Sequence, residues 1–151
     1  MKKIALLSDT HNVLREEVLS NIEECDYILH AGDVNNQEVL KALQSIAPTV
    51  IVRGNTDTNL EHLPINATIT IEGITIYMTH KKVDIPQKLE DIEIVIYGHS
   101  HKYESYFQNG IQYINPGSCG RRRFSLPLTM AYLYIDDTKY TIEKVDISFS
   151  K

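Results

Sequence analysis

Short apolar runs rich in β-branched residues recur along the chain, and five of them stop abruptly at side chains that bind metal ions. Ile4-Ala5-Leu6-Leu7 runs into Ser8-Asp9-Thr10-His11, Tyr27-Ile28-Leu29 into His30-Ala31-Gly32-Asp33, and Val50-Ile51-Val52 into Arg53-Gly54-Asn55-Thr56-Asp57. Ile74-Thr75-Ile76-Tyr77-Met78 runs into Thr79-His80, and Ile94-Val95-Ile96-Tyr97 into Gly98-His99-Ser100-His101. Runs of this kind predict buried strands. Helical spacing separates the first three. Val13, Leu14, Val18, Leu19 and Ile22 predict a helix within 13–24, and Val39, Leu40, Leu43 and Ile46 a second one, ended by Pro48. With strands at 3–8, 26–30 and 49–53, this β-α-β-α-β order predicts a parallel sheet with right-handed crossovers.

The pattern changes after about residue 64. Segments 67–71 and 74–78 around Glu72-Gly73, 102–107 and 111–115 around Asn109-Gly110, and 128–135 and 139–148 around Asp136-Asp137 predict three hairpins. A short helix is expected over 85–91, ahead of a strand at 93–97. Parallel strands early and antiparallel strands late predict an α/β fold of two packed sheets with helices outside, in a single domain over 1–151.

Composition narrows the class. A formal net charge of −5 argues against a bulk nucleic-acid binder, although bound cations leave a small phosphate ester admissible. Two cysteines, Cys25 and Cys119, are too few for a disulfide framework and are expected to be reduced thiols. The apolar stretch after Met1-Lys2-Lys3 is too short for a secretory signal, and no run reaches the ~18 apolar residues of a membrane span. A cytoplasmic protein with no membrane partner is the expectation.

Ligands in open α/β sheets sit beyond the carboxyl ends of the strands. If the five strands lie side by side, Asp9, His11, Asp33, Asn55, His80, His99 and His101 gather on one rim as a metal site, expected to hold two ions. Singly, several of these residues have plainer readings. Asp9 can cap the following helix, and Gly32 can serve a turn. Two histidines at i and i+2 beyond a strand, joined by His80 beyond another, are harder to explain without a metal. His30 reads as a buried supporting histidine, His62 as an exposed loop residue, and Arg121-Arg122-Arg123 as a solvated loop that can also meet a phosphate.

Taken in order, Asp9-x-His11, Gly32-Asp33, Gly54-Asn55, His80 and Gly98-His99-x-His101 resemble the calcineurin-like metallophosphoesterase superfamily. The compact length and Asn115-Pro116-Gly117-Ser118 are most similar to its small bacterial and archaeal phosphodiesterases of the YfcE type. The resemblance implies a four-layer α/β/β/α sandwich and a two-metal centre for hydrolysing phosphate diesters. Asp9, His11 and His101 would hold one ion, Asn55, His80 and His99 the other, with Asp33 bridging. Mn is the metal favoured for this donor set, with Fe, Zn and Ni also suited. The substrate implied is a small phosphodiester, and relatives imply a homodimer or larger assembly.

Thr56 stands where many members carry a histidine that assists the leaving group. Its hydroxyl cannot act as a general acid near neutral pH, so good leaving groups should be preferred. Asp57 then has two open readings, a catalytic one and a bracing one. Lys81-Lys82 departs from the Gly-His common after the His80 position. The rival function is a non-catalytic protein-binding scaffold like the retromer subunit of the same fold.

Overall fold

The computed structural model describes residues 1–120 and 126–147. Along them run β1 (Lys2–Leu7), α1 (Glu16–Ile22), β2 (Tyr27–His30), α2 (Gln37–Ile46), β3 (Thr49–Ile51), β4 (Asn66–Ile71) and β5 (Ile74–Thr79). Then follow β6 (Ile94–Ile96), β7 (Glu104–Gln108), β8 (Ile111–Asn115), β9 (Thr129–Asp136) and β10 (Lys139–Asp146). Two five-stranded sheets result, ordered β10-β9-β1-β2-β3 and β4-β5-β6-β8-β7. β1, β2 and β3 are parallel, as their helical crossovers require, and β9 and β10 extend that sheet in antiparallel sense. The second sheet is mixed as well, because β5, β6 and β8 run parallel between the antiparallel edges β4 and β7.

Alternation along β1 explains the layering. Ile4 and Leu6 join Leu29, Ile76, Met78, Ile94 and Ile96 in the core between the sheets. Ala5 and Leu7 face the other way, onto Val18 and Ile22 of α1 and Val39, Leu40 and Leu43 of α2. The helix α2 starts where Asn36 Oδ1 accepts from the amides of Glu38 and Val39, at 2.7 and 3.1 Å. Pro48 then bars its continuation.

The helix α1 is shorter than the 13–24 pattern predicts. Its expected first turn is taken into the loop after β1, where Asn12 is left-handed (φ 68°) and its N–H donates to Val34 O at 3.2 Å. No α-helix forms over 85–91. A single 3₁₀ turn spans Lys82–Asp84, after which Ile85 is extended ahead of Pro86. The helix-like spacing of Ile85, Leu89 and Ile92 serves instead to seat an irregular segment on Tyr77, Val95 and Tyr97. The outer face of the second sheet is therefore covered by loop, while α1 and α2 cover the first.

The three expected hairpins form, each with a two-residue turn in which both residues have positive φ. The last turn is Asp137-Thr138, one residue later than the sequence pattern places it. The five strands that end in candidate ligands do not lie side by side. They divide three and two between the sheets, and face-to-face packing brings their ends together. Among the described residues, no helix is long and apolar enough to cross a membrane.

Candidate metal centre

Beyond β1 and β2 the chain continues to pair. Asp9 N–H donates to Gly32 O at 3.0 Å and His11 N–H to Asp33 O at 2.9 Å, so the two loops advance together past the sheet edge. Asp9, His11, Asp33, His99 and His101 all have left-handed backbones, with φ of 56°, 45°, 63°, 77° and 64°. Asp and His tolerate this region better than most residues. Such strain costs about 1–3 kcal/mol per residue and clusters at functional sites.

All seven expected ligands converge. Asp9, His11 and His101 form one cluster and Asp33, His80 and His99 another, with ligand atoms within 4.8 Å of one another in each. Asp33 Oδ2 lies 3.1 Å from His80 Nε2 and 3.7 Å from His11 Nε2, and so stands between the clusters. Asn55 Oδ1 lies 3.0 Å from His80 Nε2 and 3.1 Å from His99 Nδ1. Asp9 Oδ1 is buried and accepts no hydrogen bond among the described residues, while the Nε2 atoms of His101, His11 and His80 stand 3.5, 3.7 and 4.0 Å away. Oxygens and imidazole nitrogens facing one another this closely in a buried site form a candidate cation site. The donor set fits divalent transition metals.

Three of these side chains are held from behind. His80 Nδ1–H donates to Ala31 O at 2.7 Å, which leaves Nε2 as the free lone pair facing Asp33 and Asn55. Asp9 Oδ2 accepts from Ser8 Oγ at 2.7 Å and from the His99 amide at 3.1 Å. Asp33 Oδ1 accepts from the Thr56 amide at 2.9 Å. The glycines of the motifs are there for space. A Cβ on Gly54 would collide with the Asp33 carboxylate, and one on Gly98 with Ser8 Oγ.

The electrostatics set the two aspartates apart. Burial pushes the Asp9 carboxyl up to about 6. Burial also acts to raise Asp33, but the hydrogen bond and charge of His80, helped by Thr56, hold it well below the usual carboxylate range. Burial opposes charge on His80, yet its hydrogen bond to Asp33 and the charges of Asp9 and Asp33 push its pKa up.

The remaining polar residues brace these loops. His30 is fully buried, accepts from the Gly32 amide at Nδ1 and donates from Nε2 to Thr10 Oγ1, both at 3.0 Å. It ties the loop after β2 to the loop after β1 and faces no ligand position. Asp57 spends both carboxylate oxygens on the amides of Asp33 and Gly54, each at 2.8 Å, and of Asn35, at 2.6 Å. That is the bracing geometry of its two sequence readings. Asn115 donates to Gly98 O and to Ser100 Oγ, and Ser118 Oγ donates to Asp9 O.

Asn35 went unnoticed in the sequence, where only its i+2 spacing from Asp33 marked it. Its amide approaches His11 Nδ1 at 3.4 Å, and its Oδ1 accepts from Thr56 Oγ1 at 2.6 Å. His62 is exposed, as expected. Arg121, Arg122 and Arg123 lie outside the described residues.

The model of the calcineurin-like phosphoesterase superfamily domain matches residues 1–138. The chain belongs to this superfamily. Within it, the chain is 31% identical over 130 residues to a probable metallophosphoesterase of Methanocaldococcus jannaschii, an alignment covering 76% of this chain and 67% of that one. Among solved structures it is similar to the phosphoesterase Yfce from E. coli, with TM-score 0.72, 23% identity, and 97% and 100% of the two chains covered. It is also similar to Vps29 of Entamoeba histolytica complexed with Zn²⁺, with TM-score 0.75, 22% identity, and 97% and 99% covered. At these identities the two structures speak for the superfamily's fold alone.

Proposed function

We propose that the chain is a metal-dependent phosphodiesterase that works with two divalent cations. The observation that carries this reading is the position of Asp33 Oδ2, shared between His11 of one cluster and His80 of the other. Asp9, His11 and His101 would hold one ion, and Asn55, His80 and His99 the second, with Asp33 placed to serve both. Bound there, the ions supply Lewis acidity to the phosphoryl oxygens and lower the pKa of water.

The chain's own residues do the rest. His80, fixed by Ala31 O, presents only its Nε2 lone pair. Asp57 sets the separation of the Asp33 and Gly54 loops, so the ligands meet the substrate already arranged. Thr56 sits at the exposed edge with its hydroxyl committed to Asn35, and it offers no acid for the departing alcohol. Substrates that leave as stable anions, such as aryl esters, are therefore favoured. Mn is the metal this donor set favours, with Fe, Zn and Ni as alternatives. Two free, buried cysteines agree with a reducing cytoplasm.

Thr56, which leaves the site without an acid for the departing group, favours a second reading, a non-catalytic scaffold that docks protein partners. The test is hydrolysis of bis(p-nitrophenyl) phosphate by metal-stripped protein after return of Mn²⁺, Ni²⁺, Zn²⁺ or Mg²⁺, with an Asp33→Asn control. Metal-restored turnover absent from the control is expected. Two bound ions without turnover would favour the scaffold.

A further inference from the structure

Two clefts leave the His80 and His99 side of the metal centre, and Lys81 forms part of the wall of both. One, of ≈ 190 Å³, runs past Asn55 and His80 to Arg53, Asp84 and Ile65. The other, of ≈ 330 Å³, runs past His99 to Val83, Tyr97 and Glu104. Their characters differ. The first combines a guanidinium, a carboxylate and Lys81 around a small space. The second is floored by the buried Tyr97 ring, and Lys82 is drawn aside onto Glu104 at 3.6 Å. Tyr97 OH also donates to Glu104, at 2.6 Å, so the ring is fixed in place. Among the described residues the lysine ion pairs are Lys82–Glu104 and Lys144–Asp146, so Lys81 is held by no carboxylate there.

Large apolar side chains exposed on the described surface are few: Met1, Ile65, Val83 and Phe107. Two of the four stand at these clefts, Val83 at 86% exposure and Ile65 at 58%. Exposed apolar side chains in the walls of both clefts offer contact to the substituents of a ligand. A phosphate diester has two substituents on one phosphorus, and two clefts meeting at the neighbouring side chains Asn55, His80 and His99 match that shape.

Resting on the phosphodiesterase reading above, we propose that the substrate is an unsymmetrical diester that straddles Lys81. Its planar aromatic group, an aryl or nucleobase, lies against Val83 and Tyr97. Its smaller polar alcohol lies between Arg53 and Asp84. Lys81 faces the phosphoryl charge between them. The larger cleft is at the lower end of ligand-pocket volumes, about 300–1,000 Å³, which suits one ring system and not two.

The test has two arms on the full-length, metal-loaded protein. In the first, methyl-labelled protein loaded with diamagnetic Zn²⁺ is titrated with methyl benzylphosphonate, whose P–C bond cannot be hydrolysed and whose methoxide is a poor leaving group. The Val83 methyl resonances should move under the ring current, and more than those of Ile65. Unmoved Val83 methyls, or equal shifts at both residues, would overturn the assignment. In the second arm, Val83→Asp should raise KM for methyl p-nitrophenyl phosphate about tenfold while kcat stays within about twofold, since only binding of the remote group is lost. An unchanged KM would overturn it. Absence of turnover with every metal would sink the phosphodiesterase reading, and the resonance shifts would still decide the clefts.

Discussion

His11 and His101 are ninety residues apart in sequence, yet their Nε2 atoms approach to 3.2 Å. Two imidazole nitrogens at that distance share either a proton or a cation. A shared proton couples the loops after β1 and β6 weakly. A shared divalent ion would couple them strongly, so a bound metal is expected to stabilise the fold.

Removing metal should therefore lower thermal stability. A ligand at about a hundredfold excess over its Kd adds about 2.7 kcal/mol, worth about 5–10 °C in a chain of this size. Differential scanning fluorimetry before and after chelation, with Mn²⁺ restored, measures the shift. Equal melting with and without metal would defeat the expectation.

Gly54→Ala should disturb the site from behind. The new methyl group has only the Asp33 carboxylate and its backbone to push against. Overpacking of this kind costs about 1–3 kcal/mol. A lowered urea midpoint together with loss of at least one bound ion per chain is expected. Wild-type metal content in the variant would show that Asp33 does not have to move.

His30 should make the metal-free protein acid-sensitive. Burial lowers its pKa to about 3, against about 6.5 in an unfolded chain. The unfolded state thus takes up the proton first, and stability falls as pH drops through this window by at most about 1.4 kcal/mol per unit. Asp9, raised to about 6 by burial, works in the opposite sense between about 4 and 6, because there the folded state holds the proton. The stability difference between the wild type and His30→Gln cancels Asp9 and isolates His30. That difference, from urea melts, should shift against the wild type as pH falls from 6.5 to 4. A pH-independent difference would remove His30 as its source.

Thr56→His should restore an acid at the edge of the site. Alkyl diesters need protonation of the leaving oxygen more than aryl diesters do, so their hydrolysis should gain more, up to about 10²-fold. Parallel rate measurements on methyl and p-nitrophenyl esters decide it. Equal gains would detach Thr56 from leaving-group chemistry.

Much of this was legible in the sequence, because local rules and global fold agree at the sites that matter. The runs ending at Asp9, Asp33, Asn55, His80 and His99 located the strand ends. What escaped depends on contacts distant in sequence. The periodicity of Ile85, Leu89 and Ile92 is a true packing face, but Pro86 makes the segment a loop. The bracing role of Asp57 rests on amides of Asp33 and Asn35 that no spacing rule connects to it. Asn35 itself became visible only when its loop was seen beside His11.

The left-handed backbones of Asp9, His11, Asp33, His99 and His101 carry a consequence for how this protein can change. Replacing such a residue with alanine confounds two losses, the donor atom and an already awkward main chain. Glycine at the same position removes the donor while relaxing the chain, so a glycine variant can outlast its parent in a metal-free melt while losing affinity for metal. A search for hardier variants run without metal would drift toward that outcome, since the most economical way to toughen the empty fold is to dismantle its candidate metal site.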